Sequence, residues 1–244
     1  MIDIEDFKNE DPLLRQMNDA LVVHGNKEKP RDYIGASAIG GACMRREWYK
    51  LQGHREVFDA DTLRRFQDGH DTEAKIISWL EMLPHLELHT ESMGKQYGFS
   101  DLDDKFKGHY DGVIRGIPQA PKTWHILEIK ATKQQLFNKL KKLITKVGEK
   151  NALEEWNEQY YAQAMLYCHY EGITRHLTIV STPGGRELLT LRTNANPTYA
   201  KALRGKARRL IGATAPPEKI GGPDWYQCKW CNFYDMCQGN KDEA

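Results

Sequence analysis

The sequence predicts an α/β protein, with a central sheet carrying helices on its faces and a small cap at the C-terminal end. Three observations predict it. Strand-like runs at 106–117 and 124–131 lie between segments of helical periodicity. A hairpin pattern spans 174–193, and the chain closes on a tail rich in proline and glycine that holds a cysteine cluster. No repeat or long linker interrupts this order. With 244 residues, 40% of them hydrophobic, the chain suffices for one large domain with small additions. We expect an arm over 1–34, a core over 35–211 and a cap over 212–244.

Taken in order, the arm holds a short helix around 12–21. Small residues at 35–41, with Ser37 as a cap, lead into a helix running to about 51 that carries Cys43 and Arg45. The next helix covers 61–83, with Phe66, Ala74, Ile77 and Leu80 on its apolar face, and Pro84 ends it. Extended segments follow at 95–99, 106–117 and 124–131, with a turn at 118–121. A helix over 133–147 places Leu136, Leu140, Leu143 and Val147 on one face and lysines mostly on the other. Another covers 151–170. Strands at 174–181 and 187–193 join around Pro183-Gly184-Gly185, and Asn196-Pro197 caps and starts a helix reaching 211.

No run approaches the roughly 18 apolar residues that span a bilayer, so no membrane is expected as a partner. The acidic start lacks the apolar run of a signal peptide. The expected compartment is the cytoplasm, or the host cytoplasm for a viral chain. Net charge is only +1, but cations are grouped. Lys130, Lys133, Lys139, Lys141, Lys142, Lys146 and Lys150 crowd one segment; Lys201, Arg204, Lys206, Arg208 and Arg209 crowd another. Such patches suit a polyanion or, equally, solvated helix faces.

The segments Gly108-His109-Tyr110-Asp111-Gly112 and Ile126-Leu127-Glu128-Ile129-Lys130 carry the chemistry. Alternation along a strand puts Glu128 and Lys130 on one face and Leu127 and Ile129 on the other. A carboxylate and an ammonium in an apolar strand need partners. Mg²⁺ or Mn²⁺, which take oxygen ligands, would be held by Asp111 and Glu128 against a phosphate, with Lys130 orienting water or stabilising developing charge. A buried Glu128–Lys130 ion pair explains the same residues. Glu73, four residues after Gly69, is a third candidate carboxylate, with His70 and Asp71 as rivals.

Five cysteines, an odd number, argue against a disulfide framework. Cys228, Cys231 and Cys237 form C-x2-C-x5-C, three soft ligands where a tetrahedral zinc or a cubane cluster wants four. Cys43 is the best fourth. Spacing leaves zinc and iron–sulfur both open. Cys168, among aromatic residues in a helix, reads as a core thiol.

Together these segments resemble the PD-(D/E)XK nuclease superfamily. Within it they are most similar to the RecB-like exonuclease branch, which includes CRISPR adaptation nucleases, AddB-type nuclease domains and phage exonucleases. The acidic strand residue matches Asp111, the E-x-K strand Glu128-Ile129-Lys130, and the glycine with His or Glu four residues on matches Gly69 and Glu73 in its Glu variant. The branch's Q-x-x-x-Y motif matches Gln163 and Tyr167, one helical turn apart on one face, with Gln159 a turn earlier.

The resemblance covers roughly 35–240. It implies a restriction-endonuclease-like central mixed sheet flanked by helices, with a C-terminal cysteine-rich iron–sulfur cap. It also implies a Mg²⁺ or Mn²⁺ ion held by Glu73, Asp111, Glu128 and the Ile129 carbonyl, with Lys130, Gln163 and Tyr167 completing the catalytic set. A [4Fe–4S] cluster on Cys43, Cys228, Cys231 and Cys237 is implied over zinc. Ser37, Arg45, Lys133 and Gln159 would touch DNA.

The implied activity is exonucleolytic hydrolysis of DNA, on single strands or ends, in recombination, repair or replication. No phosphate-binding loop of a helicase is present, so unwinding would come from a helicase or recombination partner. A flap or structure-specific endonuclease and a non-catalytic DNA-binding subunit are the alternatives. Oligomeric state is not legible.

Overall fold

The computed structural model describes residues 11–27 and 29–239. The acidic start of the expected arm and the last residues of the expected cap lie outside them. The arm holds α1 (Pro12–Gly25). Asp11 caps it by accepting from Leu13 N and Leu14 N at 2.9 Å, and Pro12 supplies a preset first turn. Then come β1 (Ile34–Gly35), the single turn α2 (Ala36–Ile39), α3 (Met44–Leu51) and the long α4 (Ala60–Glu81).

Strands β2 (Glu87–His89), β3 (Glu91–Ser92), β4 (Lys95–Gln96), β5 (Gly98–Asp101), β6 (Phe106–His109), β7 (Gly112–Arg115) and β8 (His125–Ala131) follow. Next are α5 (Gln134–Val147), α6 (Glu149–Trp156) and α7 (Glu158–Glu171). The hairpin β9 (Arg175–Ser181) and β10 (Leu188–Asn194), α8 (Pro197–Ile211), and the short α9 (Tyr226–Lys229) and α10 (Tyr234–Gln238) follow among the described residues.

Two main sheets position everything else. A five-stranded mixed sheet runs in the order β10-β9-β8-β7-β2, with β8 and β9 parallel and the other pairs antiparallel. A three-stranded sheet runs β1-β6-β5, and β3-β4 is a small hairpin. Helix α4 covers one face of the larger sheet, where Ile76 packs with Ile114, Leu127, Ile129, Leu177 and Ile179. Helix α7 lies within the other layer, with every residue from Tyr161 to Cys168 buried. There Ile126 packs with Ala162, Leu166 and Tyr167, and Val180 and Leu191 with Met165 and Phe137. Each fully buried aliphatic side chain contributes roughly 1.5–3 kcal/mol.

Several expectations shift. The extended run 106–117 is two strands in different sheets, parted at Tyr110 and Asp111. The expected helix from the small-residue segment to 51 is broken at Gly40 and Gly41, because α2 packs on α7 closely enough that a Cβ on Gly40 would sit 2.5 Å from Ala162 Cβ. The helix expected over 151–170 is two, with extended Asn157 between them capping α7 through Tyr160 N at 3.1 Å. On α4 the buried positions are Ala60, Thr72 and Ile76; Ile77 and Leu80 pack at the margin, while Phe66 is 48% exposed and rests on Phe58. On α5 the inward residues are Phe137 and Leu140, and Leu136 is exposed.

Candidate active site

Strand β8 sits between β7 and β9, so its side chains at 128 and 130 emerge in the middle of the sheet. Glu128 and Lys130 share a face as alternation requires, and Lys130 Nζ pairs with Glu128 Oε1. Asp111 enters from the β6–β7 junction. Its Oδ2 accepts from Ile129 N at 2.6 Å, and its own N–H donates to Leu127 O at 3.2 Å. Two glycines permit this corner. A Cβ on Gly112 would lie 2.6 Å from the His89 carbonyl, and one on Gly108 would lie 2.7 Å from both Ala36 Cβ and Tyr167 Cε1.

Burial and like charge load the acidic group. Asp111 is pushed up to about 7 by burial first and then by Glu73, against Lys130 and the Ile129 N–H. Glu128 is pushed up to about 8, first by burial and then by Asp111, with Lys130 opposing. Glu73 on α4 is raised by burial and then by Glu128. Burial pulls the Lys130 ammonium down, but Glu128 and Asp111 together outweigh that, and it is raised. All three carboxylates therefore act on one another. Glu128 Oε2 is buried with no hydrogen-bond partner. A cavity of about 490 Å³ opens on Glu73 and Asp111, lined also by His70, Thr90, Glu91 and Gln96 among others.

The Q-x-x-x-Y pair braces this corner from behind. Gln163 Nε2 donates to Tyr167 Oη at 2.7 Å, and Tyr167 Oη donates to the His109 carbonyl, two residues before Asp111. Gln163 Oε1 is buried without a partner. Gln159 stands one turn earlier and donates to Ser37 O, so these two candidate DNA contacts bond each other. Lys133 is exposed at the start of α5. The lysines at 139, 141, 142 and 146 are also exposed.

The fold brings Glu73, Asp111, Glu128 and Lys130 together and leaves other candidates aside. Asp71 is exposed and accepts from Gln67. Gly69 needs no closeness, since a Cβ there meets nothing within 4 Å. The Arg45 guanidinium is spent on Tyr49 Oη at 3.0 Å and Pro217 O at 2.8 Å, tying α3 to the tail. In the second basic patch, Arg204 binds Asp101 and Lys206 binds the Ile39 and Gly41 carbonyls. Sequence reasoning missed Gly108 as a packing requirement, although the G-H-Y-D-G run signalled it.

Among the described residues no group of three or more His, Cys, Asp or Glu side chains stands ready to hold a metal ion, at the carboxylates or at the cysteines. The expected iron–sulfur cap is therefore not preassembled. The tail nonetheless returns to α3. Trp48 Nε1 donates to Ala213 O at 2.9 Å, Val57 N to Asn232 Oδ1 at 2.9 Å, and Tyr49 packs on Phe233. The Cys231 thiol is raised first by burial and also by Cys43 and Cys237, while Arg46 lowers it. Cys228 Sγ instead lies 4.0 Å from Gly221 O. Cys168 is buried in the core, and burial pushes it up to about 12.

Among solved structures, the chain is similar to an alkaline exonuclease, LHK-Exo, from Laribacter hongkongensis. The TM-score is 0.52 at 11% identity, over 79% of this chain and 90% of that one. The likeness is one of fold, a central mixed sheet flanked by helices. LHK-Exo in complex with dAMP matches at a TM-score of 0.49 and 12% identity, over 81% of this chain and 90% of that one. A protein named SSO0001 matches at 0.48 and 15%, over 90% and 92%. No family model and no curated protein matches the chain. In this fold, the carboxylate corner lies where the central strand β8 meets the β6–β7 junction and α4. No helix among the described residues is long and apolar enough to cross a membrane.

Proposed function

We propose that the chain is a Mg²⁺- or Mn²⁺-dependent deoxyribonuclease that hydrolyses phosphodiester bonds from DNA ends. One observation carries the reading: the buried carboxylates gather, with Asp111 raising Glu128 and Glu73 raising Asp111, while Glu73 and Asp111 line an open cavity and Lys130 pairs with Glu128. Such mutual repulsion is costly without a cation. The buried Glu128 Oε2 lacking any partner suits an oxygen-seeking divalent ion. Glu73, Asp111, Glu128 and the Ile129 carbonyl would hold it. A bound divalent ion would supply charge neutralisation at the scissile phosphate and acidification of water.

The chain's own groups do the rest. Lys130 presents an ammonium that would donate to a phosphate oxygen or to the attacking water, in a site dry enough for that charge to count. The Ile129 N–H holds one oxygen of the Asp111 carboxylate, which would leave the other for the ion. Tyr167 and Gln163 hold the His109 carbonyl and hence the turn that delivers Asp111. Exposed lysines on α5, which starts three residues beyond β8, would draw the phosphate backbone toward the strand. The exonuclease named LHK-Exo shares the fold, which supports an end-directed activity.

For the cap, the four thiols are donors suited to a soft metal or cluster once drawn together. Cys43 and Cys237 both raise the Cys231 thiol, and Arg45 and Arg46 face Cys237 and Cys231. With Cys228 they would hold a [4Fe–4S] cluster as a structural clasp.

The test offers linear end-labelled DNA, closed-circular DNA and flap substrates to the protein with Mg²⁺ or Mn²⁺. The reading expects linear DNA to shorten from an end while closed circles persist. Cleavage of circles or release of intact flaps would make it an endonuclease instead.

A further inference from the structure

We propose that Tyr160 is a positioning residue for Lys130, its ring face holding the ammonium in place when Glu128 is engaged elsewhere. The inference rests on the nuclease reading. Lys130 Nζ lies 5.0 Å from the centre of the Tyr160 ring, inside the distance at which a cation is drawn to a ring face. Its other partner is Glu128 Oε1. The Lys130 side chain is only 18% exposed, so solvent screens the attraction weakly.

The ring is itself fixed. Tyr160 stands in the first turn of α7, where its N–H donates to the capping Asn157 Oδ1 at 3.1 Å. Its ring packs on Trp156 with centroids 5.6 Å apart. Trp156 in turn donates its indole N–H to Leu136 O at 3.0 Å. The platform is thus built by α5, α6 and α7 together, independently of the carboxylates.

A divalent cation on Glu128 would change what Lys130 feels. Its anionic partner would be shared, and a new positive charge would stand nearby. A lysine stem is flexible, and an ammonium without a partner leaves for solvent. The Tyr160 face is the contact that survives, and it keeps the ammonium beside the phosphate. A neutral ring does this without competing for the ion, as a further carboxylate would.

The experiment compares the parent with Tyr160→Phe, which keeps the ring, and Tyr160→Leu, which removes it. On end-labelled DNA with Mn²⁺, Tyr160→Leu should lose about tenfold in kcat with KM little changed, matching the usual strength of a desolvated cation–ring contact. Tyr160→Phe should restore most of that loss. Equal rates for Phe and Leu overturn the proposal, and so does a rise in KM alone, which marks a base-stacking platform. A second readout needs no divalent ion. In chelator, the drop in Tm from Tyr160→Leu should be smaller in a Lys130→Met background than in the parent. Additive drops overturn the contact. A parent that leaves DNA intact sinks the nuclease reading instead, while the thermal cycle still decides the contact.

Discussion

Asp111 spends one carboxylate oxygen on the Ile129 N–H at 2.6 Å, in the strand that carries Glu128 and Lys130. That bond joins the β6–β7 corner to the central strand, and it leaves the charge of Asp111 facing Glu73 and Glu128. Asp111→Asn keeps an oxygen for the Ile129 N–H and removes the repulsion. In chelator its Tm should rise, by roughly 2–4 °C for each kcal/mol relieved in a chain of this size. Mn²⁺ should stabilise the parent and do far less for the variant. Thermal unfolding with and without Mn²⁺ checks both; a variant as responsive to Mn²⁺ as the parent would remove Asp111 from the site.

The Tyr167 hydroxyl accepts from Gln163 and donates to the His109 carbonyl in a buried place. Tyr167→Phe leaves two buried polar groups short of a partner, so it should cost about 1–3 kcal/mol in urea unfolding. It should also slow DNA cleavage through a looser Asp111 turn. Unchanged stability would mean that the hydroxyl braces nothing.

His176 on β9 is buried, and burial, then the charges of Lys130 and His125, lower it to about 3. Its Nδ1 lies 3.2 Å from Thr178 Oγ1. The unfolded chain protonates this group near 6.5, as an ordinary histidine does. Between that pH and about 3, the unfolded state binds the extra proton, so stability is present above about 6.5 and is lost as pH falls. The slope from this one group approaches about 1.4 kcal/mol per pH unit. His176→Gln should flatten the profile between pH about 6 and 4. An equally steep profile in the variant assigns the acid sensitivity to other groups.

Anaerobic reconstitution with iron and sulfide should give a brown protein with iron and labile sulfide in equal amounts. Cys43→Ser and Cys231→Ser should each lose the colour and lower the Tm. Stoichiometric zinc with no visible absorption would replace the cluster by zinc.

The carboxylate corner was legible because its pieces are short and local. Alternation along 126–130 sets Glu128 and Lys130 on one face, and the i,i+4 spacing does the same for Gln163 and Tyr167. The hairpin 174–193 was legible from its turn residues. What failed depends on packing between distant segments. Asn157 serves equally in a helix or as a cap, and only the fit of α6 and α7 chooses the cap. The phase of α4 follows from which residues meet Ile129 and Leu177 rather than from its own apolar count. Arg45 and Lys206 look free for phosphate until the tail and α2 present carbonyls to them.

The most direct measurement is the rate at which purified protein with Mn²⁺ shortens end-labelled single-stranded DNA, set beside Glu128→Ala and Lys130→Ala. The account predicts shortening by the parent, abolished by chelator and reduced by at least about a hundredfold in either variant. Variants that cut as fast as the parent would contradict it.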